Sequence, residues 1–270
     1  MPVRKVLITG ASSGIGAATA QAFARQGHDL FLVARREDKL TNVAEICSRE
    51  GASRVILSCQ DLSLPGKGSF IVEECLEKLG GLDILMCNAG YGIYGPVHQV
   101  SPEDMARIWQ VNYQSGYESI HAALPHLLKQ RRGHVVIVSS IIGKKAFPYS
   151  ATYCATKFAQ SGLAEALWGE LRGTGVELSL ICPGYTATEF QKSAKMTPDL
   201  RSIQRVGGGQ SPEIVARSII KAIDHNWRET HLTLAGKILM VANHIAPSLT
   251  TQLITWAINR QRRDVSSENQ

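Results

Sequence analysis

Residues 6–16 read VLITGASSGIG, and the fold turns on what the glycines in this stretch are for. Residues 6–9 are apolar and partly β-branched, which suits a buried strand. Gly10, Gly14 and Gly16 follow, and residues 14–26 then carry a helical period. A glycine turn between strand and helix lets a pyrophosphate approach the backbone, because no Cβ stands in the way. The helix start supplies free N–H groups and the positive end of its dipole. The turn residues Gly10, Ser12, Ser13, Gly14, Ile15 and Gly16 are therefore candidates for holding a dinucleotide.

Working outward, the same alternation continues. Further apolar runs at 30–34, 55–58, 84–87, 135–139, 177–182 and 231–234 read as strands. Helical periods occupy 38–50, 70–79, 102–130, 151–172 and 212–225. Strands apolar on nearly every residue are buried on both faces, and their alternation with helices means right-handed crossovers and a parallel sheet. The expectation is an α/β fold: one doubly wound, Rossmann-like domain over 1–234, with about seven strands and helices on both faces. A polar, weakly periodic segment at about 188–211 reads as a substrate loop. Residues 235–270 read as a C-terminal extension broken by Pro247, with Leu249, Leu253, Ile254, Trp256 and Ile258 in an apolar stripe.

Composition narrows the function. The 270 residues are 44% hydrophobic and 19% charged with a net charge of +6, an ordinary globule. Basic residues are scattered, without a zinc-finger, RNP or heptad pattern beside them, so nucleic acid is not an expected partner. Six cysteines, none in a C-x-x-C pair, suit a reduced cytoplasmic protein with buried thiols, and the eight histidines form no ligand pair for a metal. No signal peptide and no run of transmembrane length is read from the chain.

The second strand bears on which dinucleotide. It ends LFLVARREDKL, residues 30–40. An NAD site usually places an acid there to accept from the adenosine 2′-OH. Arg35 and Arg36 stand in that place, and arginine forks suit a 2′-phosphate, so NADP(H) is expected. Glu37 and Asp38 follow and leave NAD as the alternative, although a helix dipole alone favours acids in a first turn.

Residues 149–157, YSATYCATK, hold two tyrosines. Ser150 reads as a helix N-cap, which leaves Tyr149 outside and puts Tyr153 in the first turns. Lys157 is then four residues on, on the same face. A phenol titrates near 10, and a neighbouring ammonium draws that value down, so Tyr153 is the proton-transfer candidate.

With the glycine turn, Cys87-Asn88-Ala89-Gly90, Asn112, Ser140, Tyr153-x-x-x-Lys157 and Pro183-Gly184 in this order, the chain resembles the short-chain dehydrogenase/reductases of the single-domain branch. The resemblance covers about residues 3–234. It implies that Tyr153 is the general acid in reduction and the base in oxidation. Lys157 would hold the nicotinamide ribose, and Ser140 would polarise the carbonyl. Asn112 would anchor a water linking the lysine to solvent. On the cofactor side it implies Asp61 and Leu62 at the adenine and Asn88, Ala89 and Gly90 along the adenosine. Pro183, Gly184, Thr186 and Thr188 would surround the carboxamide and phosphates. One departure is visible: the family usually has asparagine where Cys87 stands, which predicts altered local hydrogen bonding. Cys154, beside Tyr153, has no base placed near it and reads as a packed thiol.

The expected activity is NADPH-dependent reduction of a carbonyl. Ile93, Tyr94, Phe147, Tyr149, Phe190 and Met196 are the candidate cleft residues, a mostly apolar set that leans toward a lipophilic ketone or aldehyde. The tail looks like that of relatives acting on steroid or long-chain lipid ketones. It could cover the cleft, pack in a dimer or touch a membrane, with the first two preferred, and the resemblance suggests a homodimer or homotetramer. A non-catalytic dinucleotide sensor of the same fold, and an NAD-dependent alcohol dehydrogenase, are the rival readings.

Overall fold

The computed structural model describes residues 2–198, 200 and 209–268. Its frame is a seven-stranded sheet in the order β3-β2-β1-β4-β6-β7-β9, parallel throughout. The strands are β1 (Lys5–Thr9), β2 (Asp29–Ala34), β3 (Arg54–Cys59), β4 (Ile84–Cys87), β6 (Gly133–Val138), β7 (Val176–Cys182) and β9 (Glu229–His231). Between them run α1 (Gly14–Ala24), α2 (Glu37–Arg49), α3 (Lys67–Leu79), α4 (Pro102–Trp109), α5 (Ser115–Gln130), α6 (Ala151–Glu170) and α8 (Pro212–Asp224). The expected doubly wound fold is the fold observed.

The strand pleat explains the two-sided core. In β1, Val6 and Ile8 face one way and Leu7 the other, and all three are fully buried. Val6 and Ile8 join Phe23 of α1, Leu40 and Val43 of α2, and Val215 and Ile219 of α8. Leu7 joins Ile71 and Val72 of α3, Ile120 and Leu127 of α5, and Leu167 of α6. Each fully buried leucine or isoleucine contributes about 1.5–3 kcal/mol, so covering both faces is what holds this sheet. Strand order reverses between β1 and β4, and ligands of open α/β sheets bind at such a crevice beyond the strand C-termini. The glycine turn leaves β1 and Asn88–Gly90 leaves β4 at that crevice.

Three elements depart from the sequence reading. The single helix expected over 102–130 is two helices joined by a π-helical turn, Gln110–Gln114. The last strand lies at Glu229–His231 and not at 231–234, because Thr233 accepts from the Gly236 amide through Oγ1 at 2.9 Å and so starts a helix. A short parallel ribbon, β5 (Ile93–Tyr94) with β8 (Lys195–Met196), joins the loop after β4 to the segment after α7 (Phe190–Ser193). The part of the expected substrate loop at 199 and 201–208 lies outside the described residues. Beyond β9 come α9 (Leu234–Ile245) and α10 (Pro247–Glu268).

Candidate active site

The phosphate turn is built as its glycines require. Gly10 and Gly14 have φ of +67° and +56°, the left-handed region that side chains avoid. A Cβ on Gly16 would stand 2.3 Å from the Gly10 carbonyl oxygen, so the first turn of α1 can pack on the strand only through glycine. Ser13, at the N-cap, makes no capping bond with its side chain. Its hydroxyl instead accepts from Arg36 Nη2 at 2.9 Å, and Ser12 Oγ accepts from the same nitrogen at 3.2 Å. The fork of Arg36 therefore lies over the turn. Arg35 is 3.9 Å from Asp61, whose carboxyl is lowered by the Ser63 amide and hydroxyl and by Arg35, against a partial desolvation. Glu37 and Asp38 are exposed in the first turn of α2.

Sequence reasoning did not single out Glu189. It binds Arg36 at 2.9 Å and Lys39 at 2.5 Å, and these cations lower its carboxyl. Thr188 beside it packs on Gly14, where a Cβ would meet its Cγ2 at 3.0 Å. The loop after β7 is thereby drawn across the turn. Thr188 Oγ1 accepts from the Phe190 amide at 3.2 Å, and the buried Thr186 hydroxyl donates to the Gly184 carbonyl at 3.3 Å.

Asn88 stiffens the floor: Nδ2 donates to the Thr9 carbonyl at 2.9 Å and to the Gly10 carbonyl at 3.3 Å. The Asn88 and Ala89 amides both donate to Thr9 Oγ1, at 2.9 and 3.0 Å. These bonds lock β4 to β1 across the crevice. Cys87, where the family usually has asparagine, is buried and makes a weak 3.7 Å contact with the Gly116 carbonyl.

At the other end of the crevice, α6 brings Tyr153 and Lys157 onto one face, with Lys157 Nζ 5.7 Å from the Tyr153 ring centroid. Tyr153 sits among apolar groups: Tyr94 at 5.9 Å and Phe190 at 5.7 Å between ring centroids, with Ile93 and Ile142 in the same cluster. Burial raises its phenol well above the ordinary value, Tyr94 adds to the rise, and the Ser140 hydroxyl opposes it. The expectation that the lysine draws the phenol down is corrected here. Lys157 is itself so desolvated that its amine falls to about 7, and Nζ donates to the Val138 carbonyl at 2.9 Å and Gln160 Oε1 at 3.1 Å. Ser140 lies at the end of β6, accepting from the Ile142 amide at 3.3 Å. Ser139, beside it, is buried and donates to the Lys157 carbonyl at 3.1 Å, so it supports α6. Cys154 is a buried thiol whose titration is raised by burial, as expected of a packed residue.

The π turn explains Asn112. One extra residue in the turn aims its side chain at the chain after β4: Nδ2 donates to the Tyr91 carbonyl at 2.9 Å, and Oδ1 accepts from the Tyr91 amide at 3.0 Å. Its carbonyl accepts from Gln160 Nε2 at 2.5 Å. Gln160, unnoticed in the sequence, thus bridges the Asn112 main chain and the Lys157 amine. The available signal was a polar residue three positions beyond Lys157 on the buried face of α6. Tyr149 is outside the helix, as expected, with φ of +62°, and its hydroxyl donates to Asn259 of α10 at 3.2 Å.

A tyrosine, a lysine, a serine and an asparagine converge beside a glycine turn at one crevice. The family model for short chain dehydrogenases matches residues 4–199. The chain belongs to the short-chain dehydrogenase/reductase family. It is 33% identical over 271 residues to a dehydrogenase/reductase SDR family protein 7-like of Anopheles gambiae, covering 97% of this chain and 84% of that one. A short-chain dehydrogenase/reductase structure from Burkholderia phymatum in complex with NAD superposes with a TM-score of 0.85 at 27% identity, covering 92% and 95% of the two chains. A short-chain dehydrogenase from Sphingobium yanoikuyae in complex with NADPH gives 0.78 at 28%, covering 93% and 94%. Short-chain dehydrogenase/reductases are oxidoreductases that bind NAD(P), and both forms of the dinucleotide occur among these neighbours.

Proposed function

We propose that this oxidoreductase reduces a lipophilic ketone or aldehyde with NADPH. The observation that carries the cofactor choice is the fork of Arg36, bonded to Ser12 and Ser13 over the glycine turn with Arg35 next to it. Two guanidinium groups at the end of β2 and the two serine hydroxyls of the glycine turn after β1 fit a 2′-phosphate. At the end of β2, Ala34, Arg35 and Arg36 stand where an NAD site usually places the carboxylate for the ribose 2′-OH, and Glu37 and Asp38 come only after them, in the first turn of α2. The glycine turn and the Asn88 floor fit the pyrophosphate and adenosine. NADPH, when bound, supplies the hydride.

The chain's own residues then act on the carbonyl oxygen. Ser140 and Tyr153 donate hydrogen bonds where negative charge develops, and Tyr153 delivers its phenolic proton there. Burial that keeps the phenol protonated suits the acid of a reduction. Lys157, with an amine near 7, can hold or release a proton close to neutrality, and Gln160 and Asn112 keep Nζ in place. Ile93, Tyr94, Ile142 and Phe190 around the phenol support an apolar substrate.

The test is loss of NADPH absorbance with a panel of lipophilic ketones, diketones and aldehydes, run beside NADH. Turnover that prefers NADPH is expected. Tight NADPH binding with no turnover across the panel would move the protein to the sensor reading, and preference for NADH would overturn the cofactor assignment.

A further inference from the structure

The last two helices present an apolar face that nothing in the described chain covers. Leu234, Ile238, Val241 and Ile245 on α9, and Leu249, Leu253 and Trp256 on α10, are each 55% to 76% exposed. Their spacing of three and four places them along one side of each helix. Among the other described large apolar residues only Val3, Leu64 and Val97 are more than half exposed, and they are scattered. The opposite side of α10 faces the protein: Thr250 is buried, Ile254 and Ile258 are half-buried, and Asn259 meets Tyr149. Lys145 Nζ also donates to Thr251 Oγ1, at 2.7 Å. The extension is therefore fixed to the rim of the candidate active site with its apolar side outward.

Charge says what that side fits. From residue 234 to 263 the sequence contains no Asp or Glu, while Lys237, Arg260, Arg262 and Arg263 are cationic. Lys237 and Arg260 are exposed, and the Arg260 guanidinium lies 5.4 Å from the Trp256 ring centroid. Two copies of this chain packed face to face would set the four cations of each helix pair against only two acids, Asp264 and Glu268 at the end of α10, and leave an excess of positive charge at the contact. An anionic lipid surface answers them, and it accepts the leucine, isoleucine and tryptophan side chains at the headgroup boundary. No helix among the described residues is long and apolar enough to cross a membrane, so the geometry is that of helices lying in the interface. We infer that α9 and α10 dock the protein on anionic membranes, with the mouth of the active site beside the bilayer.

The experiment is flotation of the full chain with phosphatidylcholine vesicles, with and without phosphatidylglycerol. Sedimentation velocity of the same samples and NADPH titration accompany it. The protein is expected to float with the anionic vesicles, to lose most of that binding in high salt, and to lose it by on the order of tenfold or more in L253E/W256E. NADPH affinity of that variant should be unchanged, which shows that it is folded. Flotation by the variant equal to that of the parent overturns the inference. So does absence of flotation with either lipid, and a dimer that becomes monomer in the variant would then identify a second copy as the occupant.

Discussion

The two ends of the crevice solve opposite problems. At the glycine turn, recognition is made in water: Arg35 and Arg36 are exposed, and their partners are hydroxyls and carboxylates at the surface. At α6, polar chemistry is made in the core: Asn112, Tyr153 and Lys157 are 1%, 6% and 3% exposed. Solvent keeps the arginine charges available for a ligand. Burial at α6 perturbs the titrating groups, raising the phenol and lowering the amine. An exposed guanidinium can be removed at the cost of affinity alone, whereas a buried phenol or amine cannot be exchanged without touching chemistry and stability together.

The sharpest test of that contrast is Tyr153→Phe. It is expected to lower turnover about a thousandfold while leaving the NADPH dissociation constant nearly unchanged. Retained activity would remove the proton donor from α6. Arg36→Ala comes next: loss of charged hydrogen bonds should weaken NADPH roughly tenfold to a hundredfold and leave NADH unaffected, as read by fluorescence titration with both nucleotides. An equal loss for both would mean that Arg36 only holds the turn together.

Gln160→Leu strips one acceptor from Lys157 Nζ and one donor from the Asn112 carbonyl. We expect kcat to fall about tenfold without a change in NADPH affinity. With one partner fewer for the ammonium, the amine should titrate lower still, and the corresponding limb of the pH–rate profile should move to lower pH. A profile that only drops in height would reduce Gln160 to packing.

The smallest effect is on stability. The amine of Lys157 is lowered from 10.5 to about 7, so between these values the unfolded chain binds the extra proton. Stability should therefore rise with pH above 7, by no more than about 1.4 kcal/mol per pH unit. The window closes at about 8.5, where thiols such as Cys75 and Cys182, raised to about 12 in the folded chain, begin to act in the opposite sense. Thermal melts of the protein without added nucleotide should show this slope, and Lys157→Met should abolish it.

The sequence was read correctly where one residue's neighbours along the chain decide its state. The apolar runs, the glycine turn and the tyrosine–lysine spacing are local patterns, and each landed in the expected strand, turn or helix face. It misread places where a distant partner decides. The π turn at Gln110–Gln114 serves Asn112, whose contacts are Tyr91, Thr156 and Gln160. The end of the final strand is a different case, a local cap that was passed over: Thr233 accepts from the Gly236 amide only three residues on.

What the chain alone determined is the order of strands and helices, and with it the crevice, because hydrophobic period and glycine geometry are properties of short segments. Only tertiary structure decided the protonation of Tyr153 and Lys157, the bridge through Gln160 and the Glu189 latch over Arg36. Desolvation depends on everything packed around a group, and a hydrogen bond between residues 112 and 160 exists only once the sheet has brought their helices together.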